Sequence, residues 1–284
     1  MKSNRLVLYR KLKDRLVHVV LTLLCVLALV PLASVFWFVL KQGWPALNLD
    51  FFIHTPQPVG EPGGGIGNAL LGSGIIVGVA SLIGIPWGVA CGIFLSEYPR
   101  TKFVPFLRFA TDLLTSVPSI VIGLFTYAMI VKPMKGFSAL AGGVALAVIM
   151  IPSIARTTEE MLKLIPNSVR EAGLALGIPR WKVITRIVVR GGLGGVVTGI
   201  MLSIARVTGE TAPLLFTAFN NRFWSTSVTE PIASLPVQIF TYAISPYEDW
   251  HRQAWAAALV LLLFVFVINL TTRLILSGRT TKGD

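Results

Sequence analysis

The chain has 284 residues, of which 54% are hydrophobic and only 13% charged, about half the charged share of a soluble domain. Mean hydropathy is +0.74, and the apolar residues gather into long blocks that a soluble fold has no room to bury, so the bilayer is their natural solvent. The net charge of +12 and pI near 10.2 do not signal nucleic-acid binding. The basic residues stand at the ends of apolar blocks rather than on a solvated face with interleaved aromatics.

Six segments have the roughly 20 apolar residues that a crossing helix needs, at 17–40, 68–95, 106–131, 138–155, 191–218 and 254–276. They predict an all-α, polytopic membrane protein. The first has an apolar run from Leu16 to Leu40, too long for a signal peptide, and ends on the aromatic group Phe36-Trp37-Phe38. A Pro- and Gly-rich segment follows. Its glycines at 63–65 precede no Gly-Lys-Ser/Thr, so they read as a flexible turn, not a nucleotide loop. The second span holds Cys91, as the first holds Cys25. Two cysteines at membrane depth, and His18, His54 and His251 with no shared ligand spacing, give no disulfide framework and no metal site. In the third span Arg108 and Asp112 stand four apart near the cytoplasmic end and read as a structural pair. Ser116, Pro118 and Gly123 suggest a bend or a close helix contact.

Counting Lys and Arg by loop fixes the orientation. The N-terminal tail, the loops at 100–102 and 156–190, and the C-terminal tail hold eighteen; the other three loops hold five. Both termini are therefore expected in the cytoplasm. The organisation read from this is a tail, first helix and external loop over 1–65, a transmembrane domain over 66–276 with its cytoplasmic loop at 156–190, and a tail at 277–284.

That cytoplasmic loop predicts a short surface helix. Asn167 or Ser168 would cap it, Ala172, Leu174–Leu176 and Ile178 would form its apolar face, and Gly177 with Pro179 would stop it. Either it rests on lipid, or its small residues let it seat in a groove on a soluble partner. In the fifth span, Arg206 and Glu210 lie at membrane depth, where charge is costly, and their i, i+4 spacing puts them on one helix face. One reading is an internal ion pair that fixes packing. The other is that Arg206 offers its forked guanidinium to an oxyanion in transit, with Glu210 holding it when no anion is present and Thr208 and Thr211 adding hydroxyl donors.

The loop carries Glu171-Ala172-Gly173, then Gly177, then Ile187. This resembles the cytoplasmic loop of the binding-protein-dependent ABC importer permeases, Glu-Ala-Ala, three residues, Gly, nine residues, Ile-x-Leu-Pro. Gly173 stands for the second Ala, and Val189-Arg190 for Leu-Pro. Three further stretches, Ile204 to Leu215, Ser116 to Leu124 and Arg156 to Glu160, are similar to the phosphate-specific, PstA-type permeases; so are Ala233 to Val237 and Ala254 to Leu259. The likeness spans about 66–276. It implies an importer-permease (MetI-like) bundle in the cell inner membrane that carries inorganic phosphate. It also implies a second permease subunit (PstC-like), two ATPase subunits (PstB-like) and an external phosphate-binding protein (PstS-like). Glu171, Ala172, Gly173 and Gly177 would seat on the ATPase, which uses ATP and Mg2+, while this chain binds no cofactor and is no enzyme. A permease for sulfate or molybdate is the rival, since Arg chemistry does not separate tetrahedral anions. A channel or intramembrane enzyme would leave the loop motif unexplained.

Overall fold

The computed structural model describes residues 2–58, 61 and 63–280, and every regular element among them is helical. In chain order these are α1 (Lys2–Gly43), α2 (Leu49–Ile53), α3 (Gly67–Glu97), α4 (Val104–Ser116), α5 (Ser119–Thr126), α6 (Ala139–Lys163), α7 (Asn167–Ala175), α8 (Val189–Thr208), α9 (Ala212–Thr217), α10 (Leu235–Ala243) and α11 (Glu248–Thr280). A 3-10 turn, Trp44–Ala46, follows α1; a π-helical stretch, Tyr127–Val131, carries α5 on to Met134, and another, Val183–Val188, leads from Arg180–Lys182 into α8. Among the described residues five segments are long and apolar enough to cross a membrane alone; α4 with the continued α5 makes the sixth if that bent pair counts as one span.

Three span boundaries differ from the sequence expectation. The third span is not one helix but two, bent by 103°. Pro118 lacks an N–H and forces the preceding Val117 out of the helical region, to φ −69 and ψ 130. The fourth span does not stop at residue 155: α6 continues to Lys163. Its charged end is a good helix former, stapled by Arg156–Glu160 at 3.3 Å and Lys163–Glu159 at 2.6 Å, both i, i+4 pairs. The fifth begins as early as Arg180 and ends at Thr208, because Gly209 and then Pro213 interrupt the hydrogen-bond ladder before α9. Of the expected tail at 277–284, residues 277–280 continue α11 and 281–284 lie outside the described residues.

The centre of the bundle is α6, two thirds of whose apolar window is buried. Helix α3 lies against it along Gly84, Gly88 and Gly92, one small residue per turn. A methyl group added at Gly88 would stand 2.8 Å from the Ile154 Cβ, and one at Gly92 2.5 Å from the Ala155 carbonyl oxygen. Backbones this close are the usual contact between helices in lipid, where burying apolar surface gives no driving force and packing must supply it. On another side of α6, Gly192 and Gly199 of α8 meet Leu162 and Thr157. The core between these helices is aliphatic: Ile76, Ala80, Leu146, Met150, Ile154, Val207 and Leu214.

The pair expected between Arg108 and Asp112 does not form. Each reaches across to α6 instead: Arg108 donates to Glu159 and Arg156 donates to Asp112 at 2.6 Å, so α4 is pinned to α6 by two crossed pairs. Helix α1 stands apart, with none of its apolar window buried. It meets α11 near its end, where Phe38 packs edge-on against Trp255 with centroids 5.1 Å apart.

Candidate functional site

The two breaks in the bundle meet. Gly123, in the first turns of α5, faces Pro213 at the start of α9 so closely that a Cβ would lie 2.6 Å from the Pro213 Cα. Beside this contact is a cavity of about 170 Å³ lined by Thr115, Val117, Pro118, Ser119, Pro152, Ser153, Arg206 and Glu210, among others. Arg206 stands in the last turn of α8, and Glu210 sits just past the helix end, in the break. The expectation that both share one helix face therefore fails, since only Arg206 is helical. The break leaves them loosely associated, Nε to Oε1 at 3.9 Å, with the Arg206 side chain 55% exposed and that of Glu210 19%. That is an ion-pair distance without a hydrogen bond.

The α5 helix starts at the cavity wall. Its cap residue is Pro118, which offers no side-chain bond. Val121 and Ile122 donate their amides back to the Pro118 carbonyl, which leaves those of Ser119 and Ile120 at the positive end of the helix dipole. A guanidinium with free N–H groups and a helix N-terminus thus flank one space, with a carboxylate at its edge. Such an arrangement suits an anion, and half-helix ends at membrane depth are a recurring place for one.

The hydroxyls expected beside Arg206 are not part of this wall. Thr208 is buried and donates to the Ile204 carbonyl at 2.7 Å, so its hydrogen is committed to its own helix. Thr211 caps α9 and is half-buried outside the cavity lining. Sequence reading missed Ser153, which accepts a 3.0 Å bond from Ser203 of α8 and does line the cavity. A small polar residue directly after Pro152 in an apolar span was the available signal. Among the described residues no three His, Cys, Asp or Glu side chains converge as metal ligands.

At the cytoplasmic end, α7 is the expected surface helix, over Asn167–Ala175. Its cap differs: Pro166 holds that position, and neither Asn167 nor Ser168 bonds the first amides. Its stop is as expected. Gly177 has φ +75, Ile178 donates to the Gly173 carbonyl and Gly177 to that of Leu174, the paired bonds of a left-handed glycine terminus. Gly173 is buried against Val183 and Ile187, where a methyl group would come within 3.0 Å of Val183. Glu171, Ala172 and Gly177 are exposed, beside Val169, Leu174, Leu176 and Trp181. An open apolar surface ringed by charge on a membrane protein's cytoplasmic side fits a protein contact.

Residues 84–279 match the family model described as the binding-protein-dependent transport system inner membrane component. The chain belongs to this family. It is 45% identical over 278 residues to the phosphate transport system permease protein PstA of Haemophilus influenzae, covering 96% of this chain and 98% of that one. It is 43% identical to the protein of that name from Yersinia pestis, over 95% and 92% of the two chains. Among solved structures it resembles the inward-facing MetNI methionine ABC transporter, with a TM-score of 0.61 and 17% identity over 75% of this chain and 94% of that one; at that identity the likeness speaks for the fold. The permease is thus a multi-pass protein of the inner membrane.

Proposed function

We propose that this permease is a transmembrane subunit of an ATP-driven phosphate importer, and that the cavity at the two helix breaks is its anion path. The observation that carries the proposal is Arg206. Its guanidinium is more than half exposed at a cavity and held only loosely by Glu210, so its N–H groups remain available to an oxyanion. Phosphate would accept from them in the bidentate fashion that Arg favours, with the α5 amides completing the field. Glu210 beside the bound anion weakens binding, which a site that must release its cargo requires. The relatives named as phosphate permeases favour phosphate over sulfate or molybdate, which the same donors would also hold.

Energy would come from partners: a second permease subunit, two ATPase subunits that use ATP and Mg2+, and an external binding protein that delivers phosphate. Glu171, Ala172 and Gly177, with the apolar residues around them, form the surface that would seat on an ATPase, while Gly173 packs α7 onto the chain behind it. Closure of the ATPase dimer would push α7, open the bundle outward to receive phosphate, and hydrolysis would return it. The test is uptake of labelled phosphate in cells with and without this chain, with excess sulfate or molybdate as competitor. Loss of an uptake that neither competitor inhibits is the expected result. Survival of that uptake, with loss of another anion's, would leave the importer and overturn its substrate. Glu210→Gln sharpens the site assignment: KM for phosphate should fall along with the maximal rate, as binding tightens and release slows.

A further inference from the structure

Besides the packing of Gly173 on Val183 and Ile187, the coupling surface is joined to the bundle through an ion pair that no motif announces. Glu97 is the last residue of α3, and its side chain is 4% exposed. Arg170 of α7, 73 residues away, donates to it from Nε at 3.1 Å and from Nη2 at 2.6 Å. The same guanidinium also donates from Nη1 to the Ile165 carbonyl at 2.6 Å and from Nη2 to the Leu162 carbonyl at 2.9 Å, at the end of α6. From the far side of the loop, Arg180 donates to the Glu97 backbone carbonyl at 2.7 Å and lies over the Tyr98 ring, 4.5 Å from its centre. Three elements, α3, α6 and α7, therefore end on one guanidinium. With four N–H groups bonded, this guanidinium has one favourable geometry, and removing it would leave the nearly buried Glu97 carboxylate without its charge partner.

We infer that Glu97 and Arg170 are positioning residues that make α7 move as one body with the glycine-packed α3–α6 pair. Force applied at α7 then reaches Pro152 and Ser153 in the cavity wall along α6, alongside the packing of Gly173 on the π-helical stretch ahead of α8. This rests on the importer reading above. The position of Arg170 one residue before Glu171 places the clamp on the inner face of the helix whose outer face is free.

The test uses the whole importer reconstituted with both permease subunits, the ATPase pair and the binding protein. Spin labels go at the exposed positions Thr101 and Ser168, with Cys25 and Cys91 replaced by Ala. The distance between labels should be the same without nucleotide and with ATP trapped. In Glu97→Gln it should broaden, and phosphate moved per ATP hydrolysed should fall about tenfold, with ATPase rate and assembly retained. A nucleotide-dependent shift of that distance in the unaltered clamp overturns the inference. So does Glu97→Gln with unchanged phosphate per ATP, or with uptake, ATPase and assembly lost together, which marks a merely structural pair. If the unaltered importer moves no phosphate with ATP, it is the importer reading that fails.

Discussion

Two Arg–Glu pairs in this permease use the same chemistry for opposite ends. Glu97 is buried and Arg170 nearly so, they meet at 2.6 Å, and two backbone carbonyls take further N–H groups of the guanidinium. Arg206 and Glu210 stand 3.9 Å apart at a cavity, with the arginine more than half exposed. An arginine whose donors are mostly spent holds structure and has little left for a ligand. One whose donors are mostly free can do the reverse, at the cost of contributing little to stability.

The comparison can be broken by exchanging readouts. Arg170→Ala leaves the nearly buried Glu97 without its charge partner and should destabilise the assembled protein by about 3–5 kcal/mol, measured as a lower denaturant midpoint for loss of the complex. Arg206→Ala should leave that midpoint in place while phosphate uptake falls about a hundredfold, the loss of one or two charge-assisted hydrogen bonds. A shifted midpoint there would mean that Arg206 is the structural residue. Between these regions lies the α3–α6 contact. Gly88→Ala should cost about 1–3 kcal/mol by overpacking against Ile154, read in the same unfolding titration. Smallest of all, Asp112→Asn removes a pair with both side chains about 60% exposed, and should change stability by less than about 1 kcal/mol and fade further as salt is raised.

Much of this architecture was legible because lipid imposes a crude code. Long apolar runs gave the spans, and the placement of Lys and Arg gave the orientation. The bend at Pro118 and the close approach of Gly123 were also readable, since proline and glycine act locally. The break after α8 was not. The span expected at 191–218 passes straight through Gly209–Thr211, so that helix read as whole, and Glu210 was set on a face it does not share. The clamp was hidden for a different reason. Glu97 and Arg170 lie 73 residues apart, and no periodicity links the end of one span to a surface helix four elements later. The crossed pairs of Arg108 and Asp112 failed in the same way. Their i, i+4 spacing suggested a local partner, and tertiary neighbours on α6 won.

The stripe of Gly84, Gly88 and Gly92 has a consequence for heat as well as for shape. Side chains at a helix contact lose rotamer freedom when they pack and regain it as temperature rises, a disorder worth up to 1 kcal/mol or so for each aliphatic residue. Glycine has no rotamers to lose or recover. The α3 side of this seam therefore gains almost nothing from thermal agitation, and the two helices should stay in register while the contacts around them soften.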